Sequence, residues 1–172
     1  QSLESIVNQG IIDVAKPILE NFRGIMSYYR CAMMEVETKL NVLNEEFSLQ
    51  YDRDPISNIK TRLKKLDSIQ KKLEKNDWPL TVESMEENLH DIAGVRVICS
   101  FTEDVYRVAD ALLSQDDITL ISKKDYIREP KTNGYRSLHL IVTVPIFLAD
   151  EKRLMKVEIQ LRTIAMDSWA SL

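Results

Sequence analysis

The chain predicts an α+β domain built on a mixed sheet of about four to five strands flanked by helices. Three observations point there. Residues 154–162 alternate, with Met155, Val157, Ile159 and Leu161 on one face and Leu154, Lys156, Glu158, Gln160 and Arg162 on the other, the pattern of a half-buried strand. Val95, Val97, Cys99 and Phe101 alternate in the same way with Arg96, Ile98 and Ser100. Ahead of both, Ile18, Phe22, Ile25, Met26, Tyr29, Met33, Val36, Leu40 and Leu43 recur at helical spacing, the broad apolar face of a long helix that packs on the body or on another subunit.

Taken in order, that first helix covers residues 1 to about 49, and Pro17 suits a first helical turn. After a polar connection at 51–54, Ile59, Leu63, Leu66, Ile69 and Leu73 predict a second helix over 56–76. On that helix Lys64, Ser68, Lys71 and Lys75 share a face, with Lys72 at its margin. Such a face either solubilises the chain or grips a triphosphate, because charge-assisted bonds to phosphate are strong and numerous. A turn at 76–79 leads to a short helix over 82–88 and then to the strand holding Arg96. Thr102 caps the next helix, strands follow over 118–124, 137–144 and 154–162, and the chain turns helical again from Thr163. The expected organisation is one domain over 1–172, with a helical part over about 1–90 and a sheet-containing part over about 91–172. Because the sequence stops inside an apparent helix, further C-terminal helices are expected beyond Leu172.

Composition narrows the function. The 172 residues are 44% hydrophobic and 29% charged, as in ordinary globular chains. No apolar run approaches the roughly 18 residues that span a bilayer, so no membrane partner is expected. Cys31 and Cys99 stand alone, which indicates neither a disulfide framework nor a zinc site and fits a reducing cytosol. The net charge is -4, yet residues 60–75 hold seven basic against two acidic groups, leaving 16 basic and 25 acidic residues elsewhere. That is a local anion site on an acidic protein, not a surface for DNA or RNA. With four glycines and neither GxGxxG nor GxxxxGK[ST], any phosphate is held by side chains, which excludes P-loop and Rossmann readings.

Two acids stand out: Asp91 before the Arg96 strand and Glu158 within the last one. They are either unrelated surface groups or a pair that shares a hard cation such as Mg2+, with substrate phosphates completing the coordination. His90–Asp91 is an HD dipeptide, but the chain's other histidine, His139, is too little for the ligand set of an HD phosphohydrolase. His139 itself is a phosphate hydrogen-bond donor or a core histidine. Tyr135, beside Gly134, stacks on a nucleobase or packs a turn.

The runs HDIAGVRVICSF, KDYIREPKTNGYRSLHL and VEIQLRTIAMDSWASL, in that order, resemble the synthetase domain of the RelA/SpoT-homologue family, and within it the small alarmone synthetases; PISNIKTRLKKLDSIQKKL is similar to its nucleotide-binding helix. The resemblance covers roughly residues 15–172 and implies a nucleotidyltransferase-like synthetase fold in a cytoplasmic, Mg2+-dependent pyrophosphokinase. The implied reaction moves the β,γ-diphosphate of ATP to the 3′-hydroxyl of GDP or GTP, giving AMP and ppGpp or pppGpp. It further implies that Arg62 and Arg96 sandwich the adenine while Lys64, Ser68, Lys72 and Lys75 hold the ATP phosphates. Asp91 would bind the metal, with Glu158 on the same metal or as base to the 3′-hydroxyl. Tyr135 would stack on guanine, Lys124, Lys131 and His139 would meet the acceptor's phosphates, and Gln160 and Asp167 would help fix the acceptor. A homotetramer is implied as well.

Three departures stand out. Ser168 replaces an aromatic residue, Lys75 replaces the Arg of some relatives, and Glu37 and Asn41 stand where one subgroup carries basic residues for allosteric alarmone binding. The competing classes are a nucleotidyltransferase, which would release pyrophosphate instead of AMP, and a domain that binds nucleotide or RNA without turnover.

Overall fold

The computed structural model describes residues 2–172. Within the first helix the side chains of residues 11–19 lie outside the described residues, and the readings of Pro17 and Ile18 with them. Five strands form one sheet in the order β1-β2-β5-β4-β3. They span β1 Ile56–Leu63, β2 Ala93–Cys99, β3 Thr119–Asp125, β4 Leu138–Phe147 and β5 Lys152–Thr163. The helices are α1 Leu3–Tyr51, α2 Leu66–Lys75, α3 Val82–Asn88, α4 Thr102–Leu113 and α5 Ile164–Ala170. β2 and β5 run parallel, and the other neighbours are antiparallel, so the sheet is mixed as expected.

One sheet face is closed. Val95, Val97, Leu138, Leu140, Val142, Val157, Ile159 and Leu161 are buried beneath α1 and α4. α1 supplies Ile25, Tyr29, Ala32, Val36, Leu40, Leu43 and Phe47, a stripe at spacings of three and four. The bidentate pair of Arg53 with the buried Asp104, both contacts at 2.8 Å, ties the end of α1 to α4.

The other face carries polar rows that cross all five strands. Register pairs Lys60 with Arg96, Arg96 with Gln160, Gln160 with His139, and His139 with Lys124. One step along, Arg62 pairs with Gly94, Gly94 with Glu158, and Glu158 with Ile141.

The helix expected over 56–76 is two elements, and the expected helical part over 1–90 contains a strand. The register of β1 shifts between Ile56 and Asn58. The bulge moves the apolar set onto Ile59 and Leu63, breaks the period of two, and leaves spacings that imitate a helix. Lys60 and Arg62 therefore sit on a strand, Lys64 follows it, and only Ser68, Lys71, Lys72 and Lys75 are helical. Among the described residues no helix is long and apolar enough to cross a membrane.

Candidate functional site

Two cavities open on the polar face and share their inner wall. The first, about 310 Å³, is lined by Lys60, Thr61, Arg62, Gly94 and Arg96 together with Asp91, Glu158 and Gln160. The second, about 410 Å³, is lined by Lys72, Asn88, His90, Ser122, Lys124 and His139, again with Asp91 and Glu158. The two acids thus stand on the same side of the molecule, at the junction of both spaces. The strand pairing explains why: Gly94 lies opposite Glu158 and offers no side chain, so the space before the carboxylate stays open.

Asp91 lies in the loop leading into β2, next to Ile92, whose carbonyl accepts the Lys64 backbone N–H at 2.8 Å. Its carboxylate accepts from Lys64 Nζ at 2.8 Å and from Lys72 Nζ at 3.3 Å. Partial burial pushes the Asp91 pKa up, but the bonds and charge of Lys64, joined by Lys72, outweigh it and hold the group below the usual carboxylate range. Asp91 is therefore charged at neutral pH, and two cations stand ready beside it.

The opposite flank is a hydrogen-bond network around the Tyr135 hydroxyl. Arg162 Nη2 donates to Tyr135 Oη at 2.7 Å and Ser137 Oγ donates to it at 3.0 Å, while His139 Nε2 lies 3.1 Å away. With two donors already on the oxygen, its own proton has two acceptors within reach, His139 Nε2 and, at 3.5 Å, Gln160 Oε1. Burial, seconded by Lys131, Arg162 and Lys124, pushes the His139 pKa down to about 4, so the imidazole is neutral at pH 7. Without ligand, His139 is thus a neutral hydrogen-bonding group and not a cation. Gln160 Nε2 donates to Glu158 Oε1 at 2.7 Å and Gln160 Oε1 accepts from Arg162 at 2.5 Å.

The loop before β4 is set by Gly134, whose φ of 88° is left-handed; a Cβ there would come within 3.1 Å of Trp169 on α5. Gly134 N–H closes a turn on the Lys131 carbonyl at 2.8 Å, and the next residue, Tyr135, drops onto the sheet. Lys131 stays outside, its Nζ 4.8 Å from the Tyr126 ring centroid and 5.3 Å from that of Tyr135.

The structure brings together Arg62, Lys64, Lys72, Asp91, Arg96, Lys124, His139, Glu158 and Gln160. Ser68 and Lys75 are exposed on α2 and line neither cavity. Asp167, expected with the acceptor, faces Arg162 at 3.6 Å, Arg96 at 3.7 Å and Lys60 at 3.9 Å, so it stands between the flanks. Ser168, the departure on α5, is exposed.

Sequence reasoning passed over Lys60, hidden in the misread helix, and Arg162, which the alternation of β5 already placed on the face of Glu158. Lys156 shares that face but is structural: its Nζ donates to the Glu86 and Glu87 carbonyls at 2.9 and 3.2 Å, closing the end of α3.

Cations around two carboxylates, with a polar cavity on either side, are the groups that transfer between two phosphorylated ligands calls for. The comparisons agree with that class of reaction. A family model described as the region found in RelA / SpoT proteins matches residues 61–172, and the chain belongs to this family. It is 42% identical over 161 residues to the GTP pyrophosphokinase YwaC of Bacillus subtilis, covering 94% of this chain and 77% of that protein. Among solved structures it is similar to the small alarmone synthetase 2 of Bacillus subtilis, with a TM-score of 0.78 and 40% identity over 88% of this chain and 77% of that one. It is similar also to the small alarmone synthetase 1 of the same organism bound to its product pppGpp, with a TM-score of 0.79 and 34% identity over 88% and 78% of the two chains.

Proposed function

We propose that this protein is a GTP/GDP pyrophosphokinase that carries the β,γ-diphosphate of ATP to the 3′-hydroxyl of GDP or GTP, releasing AMP and forming ppGpp or pppGpp in the stringent response. The observation that supports it best is the sharing of Asp91 and Glu158 by both cavities, so that a nucleotide in each would have its reacting group near the same acids.

The reading assigns the first cavity to ATP, with Arg62 and Arg96 on the adenine and Lys64 and Lys72 turning from Asp91 to the phosphates. Ser68 and Lys75 would reach the phosphate chain only by extending from α2. The second cavity takes the acceptor's phosphates at Lys124 and His139, with Lys131 joining them from the loop; Tyr135, beside that cavity, would stack on guanine, and Gln160, on the wall of the first cavity, and Asp167 would help fix the acceptor. Glu158 Oε1 is occupied by Gln160, which leaves Oε2 to accept the 3′-hydroxyl proton. The 3′-oxygen then bonds to the β-phosphorus as the bond from that phosphorus to the α,β-bridging oxygen breaks, and AMP departs with the electron pair.

The donor chemistry fits a hard divalent cation. Asp91, held charged by Lys64, offers carboxylate oxygens to an ion whose coordination the nucleotide's phosphates would complete, and Glu158 stands beside it at the same junction. Mg2+ held there would neutralise charge on the phosphoryl oxygens. The same reading takes residues 1–172 as one synthetase domain that assembles as a cytoplasmic homotetramer; light scattering of the purified protein tests the assembly.

Chromatography of a reaction with ATP, GDP and Mg2+ tests the function. AMP and a 3′-pyrophosphorylated guanosine nucleotide are expected in equal amounts. Free pyrophosphate as the product would make the protein a nucleotidyltransferase, and nucleotide or RNA binding with no turnover would make it a binding module.

A further inference from the structure

Arg162 is buried on a face that is otherwise open: its side chain is 3% exposed, although the alternation of β5 puts it beside Glu158 and Gln160. One terminal nitrogen, Nη2, serves both Tyr135 Oη at 2.7 Å and Gln160 Oε1 at 2.5 Å. The other, Nη1, lies 3.6 Å from Asp167, and the guanidinium carbon is 5.3 Å from the Tyr135 ring centroid. A guanidinium only donates and a carboxylate only accepts, so the Gln160 amide between them has a single orientation. Its oxygen faces Arg162 and its nitrogen faces Glu158 Oε1, 2.7 Å away.

We propose that Arg162 is a positioning residue that couples acceptor binding to the reacting carboxylate, through the chain Tyr135–Arg162–Gln160–Glu158. The inference builds on the roles given above to Tyr135 and Glu158. Arg162 sets the height of the tyrosine ring over the sheet, and through the Gln160 amide it holds Oε1 of Glu158 and turns Oε2 to the acceptor hydroxyl. Seating guanine against Tyr135 therefore aligns the base in the same movement. A buried arginine that merely stabilised the fold would need no such polar continuation towards Glu158.

Steady-state kinetics on the full chain, paired with calorimetric titration of GDP, test this. Arg162→Lys keeps a cation but loses the planar fork, so one ammonium cannot hold both partners in the same geometry. It should raise the acceptor KM and lower kcat, each about tenfold, and leave the ATP KM unchanged. Tyr135→Phe keeps the ring and removes only the hydroxyl; it should weaken GDP binding about tenfold. Combined with Arg162→Lys it should add little, because the two changes break one link.

Strictly additive effects, or an Arg162→Lys enzyme with unchanged acceptor KM and kcat, overturn the proposal. If Arg162→Lys does not fold by circular dichroism, Tyr135→Phe and Gln160→Glu carry the test. The first should weaken GDP binding, and the second, which cannot donate to Glu158, should lower kcat by a larger factor than it weakens GDP binding; the reverse pattern overturns the coupling. A wild type that forms no 3′-pyrophosphorylated product would sink the functional reading itself, whereas an active wild type with additive variants sinks only the role of Arg162.

Discussion

The two flanks of the Asp91–Glu158 junction are held by different physics. On the side proposed for the donor, Lys64 and Lys72 grip Asp91 in ion pairs, and such pairs can be exchanged for phosphate or metal. On the side proposed for the acceptor, Tyr135, Ser137, His139, Gln160 and Arg162 form a network with one cation and a neutral imidazole. One flank is charged and ready to trade partners; the other is shaped by hydrogen bonds and rings. The difference teaches that one sheet face can carry exchangeable charge and a fixed hydrogen-bond geometry within a few residues of one row.

Four measurements bear on that contrast, the strongest first. Glu158→Gln should lower kcat about 10²- to 10⁴-fold, the range for removing a general base, with both KM values little changed. Asp91→Asn should cost about a hundredfold or more and should also raise the ATP KM, because it disturbs the cations of the donor side. Retention of full rate by either variant would dissolve the junction.

Gly134→Ala should raise the acceptor KM about tenfold while sparing the ATP KM, since left-handed strain and the Trp169 contact displace Tyr135. A matched rise in the ATP KM would mean that the flanks are not separable.

The third measurement is thermal unfolding against pH. His139 has a folded pKa near 4 against 6.5 for the free group, so the unfolded chain binds the extra proton between those values. Its contribution to stability is complete above about pH 6.5 and fades as pH falls towards 4. Asp91 has the same sign but a lower window: its contribution is present above the ordinary carboxylate value of 3.8 and is lost only below it, as pH falls through the depressed folded value. The Tm gap between wild type and His139→Asn should therefore shrink from pH 7 to 4, and a constant gap would contradict the neutral imidazole. The smallest effect is Lys156→Met, which should reduce stability by about 1 kcal/mol and leave kinetics intact, because that lysine closes α3 and not a ligand site.

Legibility in the sequence followed how local each constraint is. β5 was readable because its two faces differ in polarity at strict period two, and Glu158 and Gln160 came with it. β1 was not, since one bulge between Ile56 and Asn58 erased the alternation and left helical spacing in its place. The network around Tyr135 was closed to inspection for another reason: its hydroxyl meets Arg162, 27 residues away, only because Gly134 turns the loop back over β5. Arg162 was visible on the right face, but burial, which separates it from a solvated edge residue, is a tertiary property. Asp91 was legible as an acid before a strand, whereas its ion pairs with Lys64 and Lys72 depend on where β1 ends and α2 begins.

The central claim is that Asp91 and Glu158 serve the same transfer from the junction of the two cavities, Asp91 through a divalent ion held with the donor nucleotide and Glu158 as the base. Electron paramagnetic resonance of Mn2+ titrated into the protein with a non-hydrolysable ATP analogue, paired with the turnover of each variant, tests it most directly. Wild type should bind one ion per chain, Asp91→Asn should lose it at the same nucleotide occupancy, and Glu158→Gln should keep it while losing turnover. Undiminished Mn2+ binding in Asp91→Asn, or full turnover in Glu158→Gln, would contradict that division of roles.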